Sequence, residues 1–280
     1  MQANIHGNDI FYTTHGEGRP ILFMHGGLGL DHTGFRPWLD PLGDVAQLIY
    51  YDHLGNGRST RPQSYEGITL DTWADDADAL RAELGHERIV LFGHSFGGFI
   101  AQEYALRHGE HLAGLILSNT APAVDYPDVL KSNARIYGTP EQAQIALDAL
   151  SNPTLFPDDA AFRRLWTSIL PMYFHHYDAE IARAMDASTL YSVNAFTHGS
   201  NCLATFNTLS RLNEVTTPTL LLGSRYDLIT PLPHGAERFR AALPNAQLVI
   251  FENSGHFPFI EEYTAYLNTV RNWLAQLPQS

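Results

Sequence analysis

The segment RIVLFGHSFGGFIAQEYALRH, residues 88–108, passes from an unbroken apolar run into a glycine-rich turn and then into a helical pattern. The run at residues 89–92 predicts a short buried strand of a parallel sheet, and the apolar spacing over residues 99–106 predicts a helix. Ser95 therefore lies at a very sharp turn between glycines, which permit two backbone segments to approach closely. This G-x-S-x-G pattern is typical of a nucleophile elbow, which exposes a serine hydroxyl above a sheet. The alternative is a glycine-rich turn whose serine only caps the helix.

The order of apolar and helical patterns along the chain predicts one α/β core with an insertion. Strands alternate with helices over residues 1–120 and again over residues 213–280, which indicates a mostly parallel sheet with helices on both faces. Residues 121–212, between them, contain helical segments punctuated by prolines and no strand pattern. We therefore predict a helical cap at residues 121–212, inserted over the sheet edge where open α/β folds bind ligands.

A serine hydroxyl becomes a nucleophile when a base takes its proton and a carboxylate orients that base. Asp227 and His256 each follow an apolar strand pattern, so both side chains are expected at the same sheet edge as Ser95. The chain order serine, acid, histidine is the one that accompanies this elbow. Two other acids compete: Asp125 follows the strand after the elbow, and Asp52 is expected to brace its glycine-rich loop through backbone hydrogen bonds. We predict a Ser95–Asp227–His256 triad.

Two backbone N–H groups are expected to hold the negative charge that develops on the substrate oxygen. One belongs to Phe96, the residue after the nucleophile, and the other to Gly27 in the loop HGGLG, which follows the strand pattern ILFM. Glycine at this position leaves room for an acyl group beside the N–H. The alternative for this loop is a dinucleotide-binding turn, but His32 stands where the third glycine of G-x-G-x-x-G is required, so that fingerprint fails.

Five segments together resemble the α/β-hydrolase superfamily, and within it the proline iminopeptidase group: MHGGLG, YYDHLGNGRS, GHSFGG, GSRYDLITP and NSGHFPFIEE. They occur in the family order and spread over nearly the whole chain outside the cap. The HGG-x-G form and the D-x-x-G-x-G-x-S loop favour this group over generic esterases. The resemblance implies an α/β-hydrolase fold with an eight-stranded sheet and a helical cap. It also implies the triad predicted above, a small-molecule substrate, and no metal or organic cofactor.

One position departs from the pattern of proline iminopeptidases. As the resemblance implies, these enzymes hold the free amine of the substrate with glutamates, one of which directly follows the catalytic Asp, where this chain has Leu228. The cap segment YSVNAFTHGSN offers no equivalent of a second glutamate. We therefore predict a serine hydrolase that cleaves an amide or peptide as those enzymes do, or alternatively a carboxylesterase or lactonase. A triad-bearing small-molecule receptor, a lyase and a cofactor-free oxidase are more remote alternatives, because a fold does not fix a function.

Candidates for substrate binding lie in the cap and beside the predicted acid. Their aromatic members line an acyl pocket or pack the cap helices on one another, and their polar members are possible substrate contacts. The candidates are Trp166, Tyr173, Phe174, Phe196, His198, Asn201 and Leu228. The adjacent His175 and His176 point in different directions on a helix and lack an i, i+4 partner, so packing is expected rather than a metal site. Cys202 is interpreted as a small packed residue, because no elbow surrounds it.

Composition narrows the possible partners and the cellular location. The formal net charge of −13 argues against nucleic acid, which requires a basic surface. No stretch approaches the roughly 20 apolar residues needed to span a bilayer, and the N-terminus lacks the basic start and apolar core of a signal peptide. The single cysteine excludes an intrachain disulfide and suits a reducing cytoplasm, the predicted location. Nothing in the sequence indicates an oligomeric state.

Overall fold

The computed structural model describes residues 1–243 and 245–278, and its centre is an eight-stranded sheet. The strands are β1 (Gln2–Ile5), β2 (Asn8–His15), β3 (Pro20–Met24), β4 (Gln47–Tyr51), β5 (Ile89–His94), β6 (Leu112–Ser118), β7 (Thr219–Ser224) and β8 (Gln247–Phe251). Their spatial order is β1-β2-β4-β3-β5-β6-β7-β8. The β1–β2 and β2–β4 pairs are antiparallel, and the other neighbours are parallel. The predicted mostly parallel, eight-stranded sheet is therefore confirmed.

Ten α-helices accompany the sheet in the described residues. They are α1 (Leu70–Glu83), α2 (Phe96–Arg107), α3 (Pro127–Tyr137), α4 (Pro140–Ser151), α5 (Asp159–Ile169), α6 (Ala179–Ser188), α7 (Val193–Leu203), α8 (Ala236–Ala242), α9 (Pro258–Glu261) and α10 (Tyr263–Leu274). None of these helices combines the length and the apolar character needed to cross a bilayer.

The two faces of the sheet bury two separate hydrophobic cores. Successive residues of a strand point to opposite faces. Leu22 of β3 accordingly packs in one core with residues of α1, α2 and α8, whereas its neighbour Phe23 packs in the other core with residues of α10. Both side chains are almost fully buried. The prediction of helices on both faces is confirmed, and the central parallel strands are consequently apolar on both sides.

Helices α3 to α7 all lie between β6 and β7 in the chain. The two ends of this insertion meet where Ala123 forms an antiparallel bridge with Asn207, and the N–H of Thr208 donates to Pro122 O at 2.9 Å. Part of the insertion packs in the same core as α10. We propose that these helices form the predicted cap, with its limits near residues 121 and 212.

Candidate active site

The turn between β5 and α2 holds Ser95 in a backbone conformation that L-residues rarely adopt. Its φ is +52° and its ψ is −118°. Its N–H donates to Ser118 O at the end of β6, at 3.1 Å. Space around the turn is limited, because a Cβ on Gly97 would overlap the carbonyl oxygen of Met24. Strained residues of this kind cluster at functional sites, and the geometry matches the predicted elbow.

The structure brings the predicted acid and base together. The Nδ1 atom of His256 lies 2.9 Å from Oδ2 of Asp227, and both side chains are buried. The two competing acids lie elsewhere. Asp125 forms an ion pair with Arg238 on the surface, with N–O distances of 2.6 and 3.0 Å. Asp52 braces its loop by accepting a hydrogen bond from the N–H of Arg58 at 2.8 Å, as predicted.

Asp227 is held as a carboxylate by donors on both oxygens. Its Oδ1 accepts the N–H groups of Ile229 and Thr230, at 2.9 and 3.0 Å. Its Oδ2 accepts the Thr230 hydroxyl at 2.7 Å and the Asn119 side-chain amide at 2.9 Å, besides His256. Burial alone would raise the pKa of Asp227, but the neighbouring imidazole and these hydrogen bonds outweigh it and lower the pKa. The carboxylate therefore stays charged and accepts the imidazole N–H.

His94, the residue before Ser95, contacts the loop that carries His256. Its Nε2 lies 2.9 Å from His256 O, and because a carbonyl only accepts, this nitrogen donates. Burial, with a smaller contribution from the nearby His256, lowers the pKa of His94 to about 3. The imidazole of His94 is therefore uncharged at neutral pH, and it links the elbow to the histidine loop.

Gly27 and Phe96, the predicted oxyanion-hole residues, lie on one cavity wall with Ser95. Phe96 is the first residue of α2, where backbone N–H groups have no partner within the helix. Neither the Phe96 N–H nor the Gly27 N–H has a hydrogen-bond partner among the described residues. The φ of Gly27 is +72°, and a Cβ there would collide with the side chain of Leu30. Glycine is therefore required at this position both by conformation and by space.

A cavity of about 600 Å³ lies above the elbow and is bounded largely by apolar side chains. Ser95 and His256 lie on its wall, whereas Asp227 lies behind His256. Residues from the core and from the cap helices both contribute to the lining. The sequence-predicted candidates on this wall are Trp166, Tyr173, Phe196, Asn201 and Leu228. A cavity of this size accommodates a small-molecule substrate.

Comparisons with known proteins agree with this geometry. A family model described as alpha/beta hydrolase fold matches residues 19–263. The chain belongs to the α/β-hydrolase fold family. The proline iminopeptidase PfmaB of Pestalotiopsis fici is 28% identical, over 91% of both chains. A proline iminopeptidase of Lactobacillus delbrueckii subsp. bulgaricus is 30% identical, over 91% of this chain and 89% of its own.

A solved structure agrees at the level of the fold. The meta-cleavage product hydrolase from Pseudomonas fluorescens IP01 superposes on this α/β-hydrolase with a TM-score of 0.78. It covers 99% of this chain and 97% of its own, at 21% identity. The predicted resemblance to α/β-hydrolases and to proline iminopeptidases is confirmed, and the relatives and the fold identify this protein as a hydrolase.

Two predicted substrate-binding residues lie away from the cavity wall of this α/β-hydrolase. Phe174 packs against the rings of Tyr177 and Phe257, in the core beneath the cap. The Nε2 of His198 lies 2.7 Å from Ile68 O, at the entry to α1. Its ring lies 5.9 Å from that of Trp73. The prediction that these two side chains face a substrate is corrected, because each is engaged by neighbouring protein groups.

Sequence reasoning missed three groups that support the predicted acid and base of this α/β-hydrolase. Asn119 and Thr230 hold Asp227, and His94 holds the backbone of His256. The signal for Asn119 was present, because it directly follows β6 and so lies at the same sheet edge as the residue after β7. The signal for His94 was its place in the elbow motif. For neither residue does the sequence alone indicate the hydrogen-bond partner.

One trio of described side chains has the composition of a metal site, between the second half of α1 and the residues that follow α2. It consists of Asp78, His108 and His111. Asp78 already accepts hydrogen bonds from Arg81 at 2.7 Å and from Tyr104 at 2.8 Å. Burial would raise its pKa, but hydrogen bonds from Arg81, Tyr104 and His111 lower it to about 2. Because the arginine neutralises the carboxylate, this trio is explained by ion pairing.

Proposed function

We propose that this α/β-hydrolase cleaves an uncharged, largely apolar ester through an acyl-enzyme on Ser95. One observation carries the choice of substrate class: the cavity wall offers no available carboxylate. Asp31 is the one acidic side chain among the described lining residues, and it is fully buried. It accepts the N–H groups of Thr33 and Leu190, both at 3.0 Å, and lies 3.5 Å from Arg58. A desolvated ammonium group needs a counterion, and this cavity supplies none.

The proposed reaction is acyl transfer to water. His256 accepts the hydroxyl proton of Ser95 as the serine oxygen attacks the ester carbonyl. The N–H groups of Gly27 and Phe96 hold the oxyanion. His256 then donates its proton to the departing alkoxide, and the acyl-enzyme remains. Water attacks that ester with His256 again as the base, which releases the acid and restores the serine. Asp227 keeps the imidazole in the tautomer whose Nε2 accepts the proton.

Leu228 supports the same substrate class. It directly follows Asp227, lines the cavity and is buried. In the resembled peptidases a glutamate at this position holds the substrate amine, so leucine replaces a charge with an apolar surface. Lys131, another lining residue, is positively charged and pairs with Asp128 at 3.2 Å. Neither residue favours a substrate that carries a free amine.

A second candidate function is removal of an N-terminal proline from a peptide. It is supported by the similarity over nine-tenths of the chain to proteins named proline iminopeptidase. The elbow, the acid and the base would serve an amide as they serve an ester, because both reactions pass through a tetrahedral oxyanion. The two candidates differ in the leaving group, an amine rather than an alkoxide, and in whether the site must hold the ammonium group on the carbon next to the reacting carbonyl.

The test is turnover of p-nitrophenyl butyrate and prolyl-p-nitroanilide by the native protein and by the Ser95→Ala variant. We expect cleavage of the ester, with kcat/KM for the anilide at least about 100-fold lower, because its ammonium would be buried without a partner. Ser95→Ala is expected to abolish ester cleavage while the far-UV circular dichroism is unchanged. Faster cleavage of the anilide would select the second candidate. Undiminished turnover by a folded Ser95→Ala protein would refute the acyl-enzyme on this serine.

A further inference from the structure

The loop that carries His256 is fixed by backbone hydrogen bonds to two parts of the molecule. The N–H of His256 donates to Tyr173 O, in the insertion, at 2.6 Å. The N–H of the preceding Gly255 donates to Oε2 of Glu261, at the end of α9, at 2.7 Å. The orientation of the imidazole therefore depends on a cap carbonyl and on a glutamate that lies outside the triad.

The same glutamate also holds the cap. Oε1 of Glu261 accepts the N–H of His175 at 2.8 Å and the N–H of His176 at 2.7 Å. One carboxylate thus joins the cap segment 173–176 to the histidine loop, with one oxygen on each side. Side-chain packing reinforces the junction, because the ring of His175 stacks on that of Tyr226 with centroids 3.5 Å apart.

The junction is too tight to be an incidental contact. A Cβ on Gly255 would overlap Tyr173 O and would lie 2.9 Å from the N–H nitrogen of His175. The cap backbone is therefore seated directly on the residue before His256. Glu261 is half-buried, and two of its three hydrogen bonds, those from His175 and Gly255, are partly shielded from solvent.

We propose that Glu261 is a positioning residue, which orients His256 by fixing the histidine loop and the cap segment 173–176 against each other. This inference rests on the proposed function in one respect, that His256 is the catalytic base. Glu261 does not touch the cavity, since it is not among the residues that line it. Its effect reaches the reaction only through the backbone of the loop.

The chemistry of the junction requires a carboxylate. Three N–H donors converge on one side chain, and a carboxylate offers two acceptor oxygens. Glutamine has the same shape but only one acceptor oxygen, so its NH₂ group must face either the cap donors or Gly255. Glu261→Gln therefore loses one side of the junction whichever way the amide is turned. Hydrogen bonds to a charged acceptor are also stronger than those to a neutral one.

The neighbouring glutamate provides a matched control. Oε2 of Glu262 accepts the N–H of Asn253 at 2.9 Å and the hydroxyl of Ser254 at 2.6 Å. It therefore supports the histidine loop, and its side-chain hydrogen bonds within the described part of the chain do not reach the cap. A second control is Glu252, which lies exposed in an ion pair with Arg225. Glu262→Gln removes a carboxylate from the same turn, and Glu252→Gln removes one from the surface.

The experiment combines amide hydrogen exchange, read by mass spectrometry on peptides covering residues 173–178 and 253–257, with p-nitrophenyl acetate kinetics. For Glu261→Gln we expect exchange in at least one of these peptides to accelerate about tenfold, and kcat to fall about tenfold with KM within about twofold. Both donors of Glu262 lie on one oxygen, which glutamine retains, so Glu262→Gln is expected to accelerate exchange only at 253–257, and there by less than about threefold through the loss of the charge. Glu252→Gln is expected to match the native protein. If Glu261→Gln does not fold, Glu261→Asp, which keeps both oxygens but is shorter, is expected to show the same local changes.

Three outcomes would overturn the positioning role. The first is native exchange and native kcat in Glu261→Gln. The second is accelerated exchange across the whole chain with a lower Tm, which would describe general destabilisation. The third is a cap peptide that responds equally to Glu262→Gln. The exchange measurements do not depend on Ser95, whereas the kcat measurement does. A failure of the acyl-enzyme proposal is therefore recognised separately, by turnover that survives Ser95→Ala.

Discussion

At the scale of single residues, the charge of Asp227 is the feature on which the proposed chemistry depends. Its carboxylate is buried and would be costly without partners. The Thr230 hydroxyl, the Asn119 amide and two backbone N–H groups supply them, so that the acid remains ionised. Each of these partners donates a hydrogen bond to the carboxylate. The site is therefore built for an acceptor at this position, and the imidazole N–H of His256 completes it.

Asp227→Asn tests this arrangement. The asparagine NH₂ group would face donors, and the imidazole would lose the acceptor that fixes its tautomer. We expect kcat for p-nitrophenyl butyrate to fall about 10³–10⁴-fold with little change in KM. Asp125→Asn, which breaks only the surface pair with Arg238, is expected to retain native kcat. A large loss in the Asp125 variant, with native kcat in the Asp227 variant, would assign the acid to the earlier strand.

The sequence predicts correctly that Asp227 and His256 lie close together, because a residue that follows an apolar parallel strand has a defined place at the sheet edge. It does not predict Asn119 as a partner of Asp227, since a hydrogen bond between residues 108 positions apart leaves no local pattern. Thr230 follows Asp227 by only three residues, so its hydrogen bond is local, and sequence reasoning missed it. Phe174 and His198 show the converse error. His198 lies on α7, and Phe174 lies in the segment between α5 and α6. Either residue can face the cavity or the interior, and the sequence pattern alone does not distinguish the two directions.

At the scale of elements, the sharp turn at Ser95 depends on the close approach of β3 and α2. A methyl group on Gly97 would overlap the carbonyl oxygens of Met24 and His25, both of them backbone atoms that cannot turn aside. The first turn of α2 is thereby held against the end of β3, where the loop of Gly27 begins. Ser95 and the proposed oxyanion donors are consequently positioned by one close contact between two elements.

Gly97→Ala and Gly109→Ala add the same methyl group at two different places. Gly97→Ala is expected to lower the free energy of unfolding by about 1–3 kcal/mol or more, because the backbone must shift. A Cβ on Gly109 meets no atom within 4 Å, so Gly109→Ala is expected to change it by less than about 0.5 kcal/mol. Urea unfolding followed by circular dichroism measures both. Equal stability of the two variants would contradict the close-approach explanation.

The elements themselves were largely predictable from the sequence, with two instructive exceptions. β1 is four residues long and pairs only with β2 at the sheet edge, so it offers too short an alternation to recognise. The cap helices were predicted as helices, but the extended segments between them were not given a role. A segment without a repeating apolar pattern gives no indication in the sequence of which surface it contacts.

At the scale of the whole molecule, the cap contacts the core at both loops of the proposed catalytic centre. The segment 173–176 lies on the histidine loop. A second extended segment, 189–192, lies on the loop of Gly27, where the N–H of Ser192 donates to Gly29 O at 2.8 Å. The Nη2 of Arg61 donates to Tyr191 O in this segment at 2.6 Å, and its Nη1 pairs with Asp159 at the start of α5. We therefore expect the position of the cap helices and the geometry of the proposed site to be coupled.

Arg61→Ala tests that coupling from the cap side. Without the guanidinium, segment 189–192 loses a hydrogen bond to the core and α5 loses an ion pair with it. We expect the cavity wall formed by the cap to become less ordered. We expect KM for p-nitrophenyl octanoate, whose chain reaches the cap, to rise about threefold to fivefold, the effect of about 1 kcal/mol. KM for p-nitrophenyl acetate, which stays near Ser95, is expected to remain native.

The matched control is Arg163→Ala, which breaks an exposed ion pair with Asp186 inside the cap. Both variants remove one arginine from the surface and change the net charge equally. Of these two arginines, Arg61 joins the cap to the core and Arg163 does not, so the Arg61 variant is the one expected to distinguish long esters from short ones. An equal rise in both variants would attribute the effect to charge or to the cap interior. A rise for acetate as well as octanoate would show that the cap contact governs the reacting centre itself, as the junction at Glu261 is proposed to do.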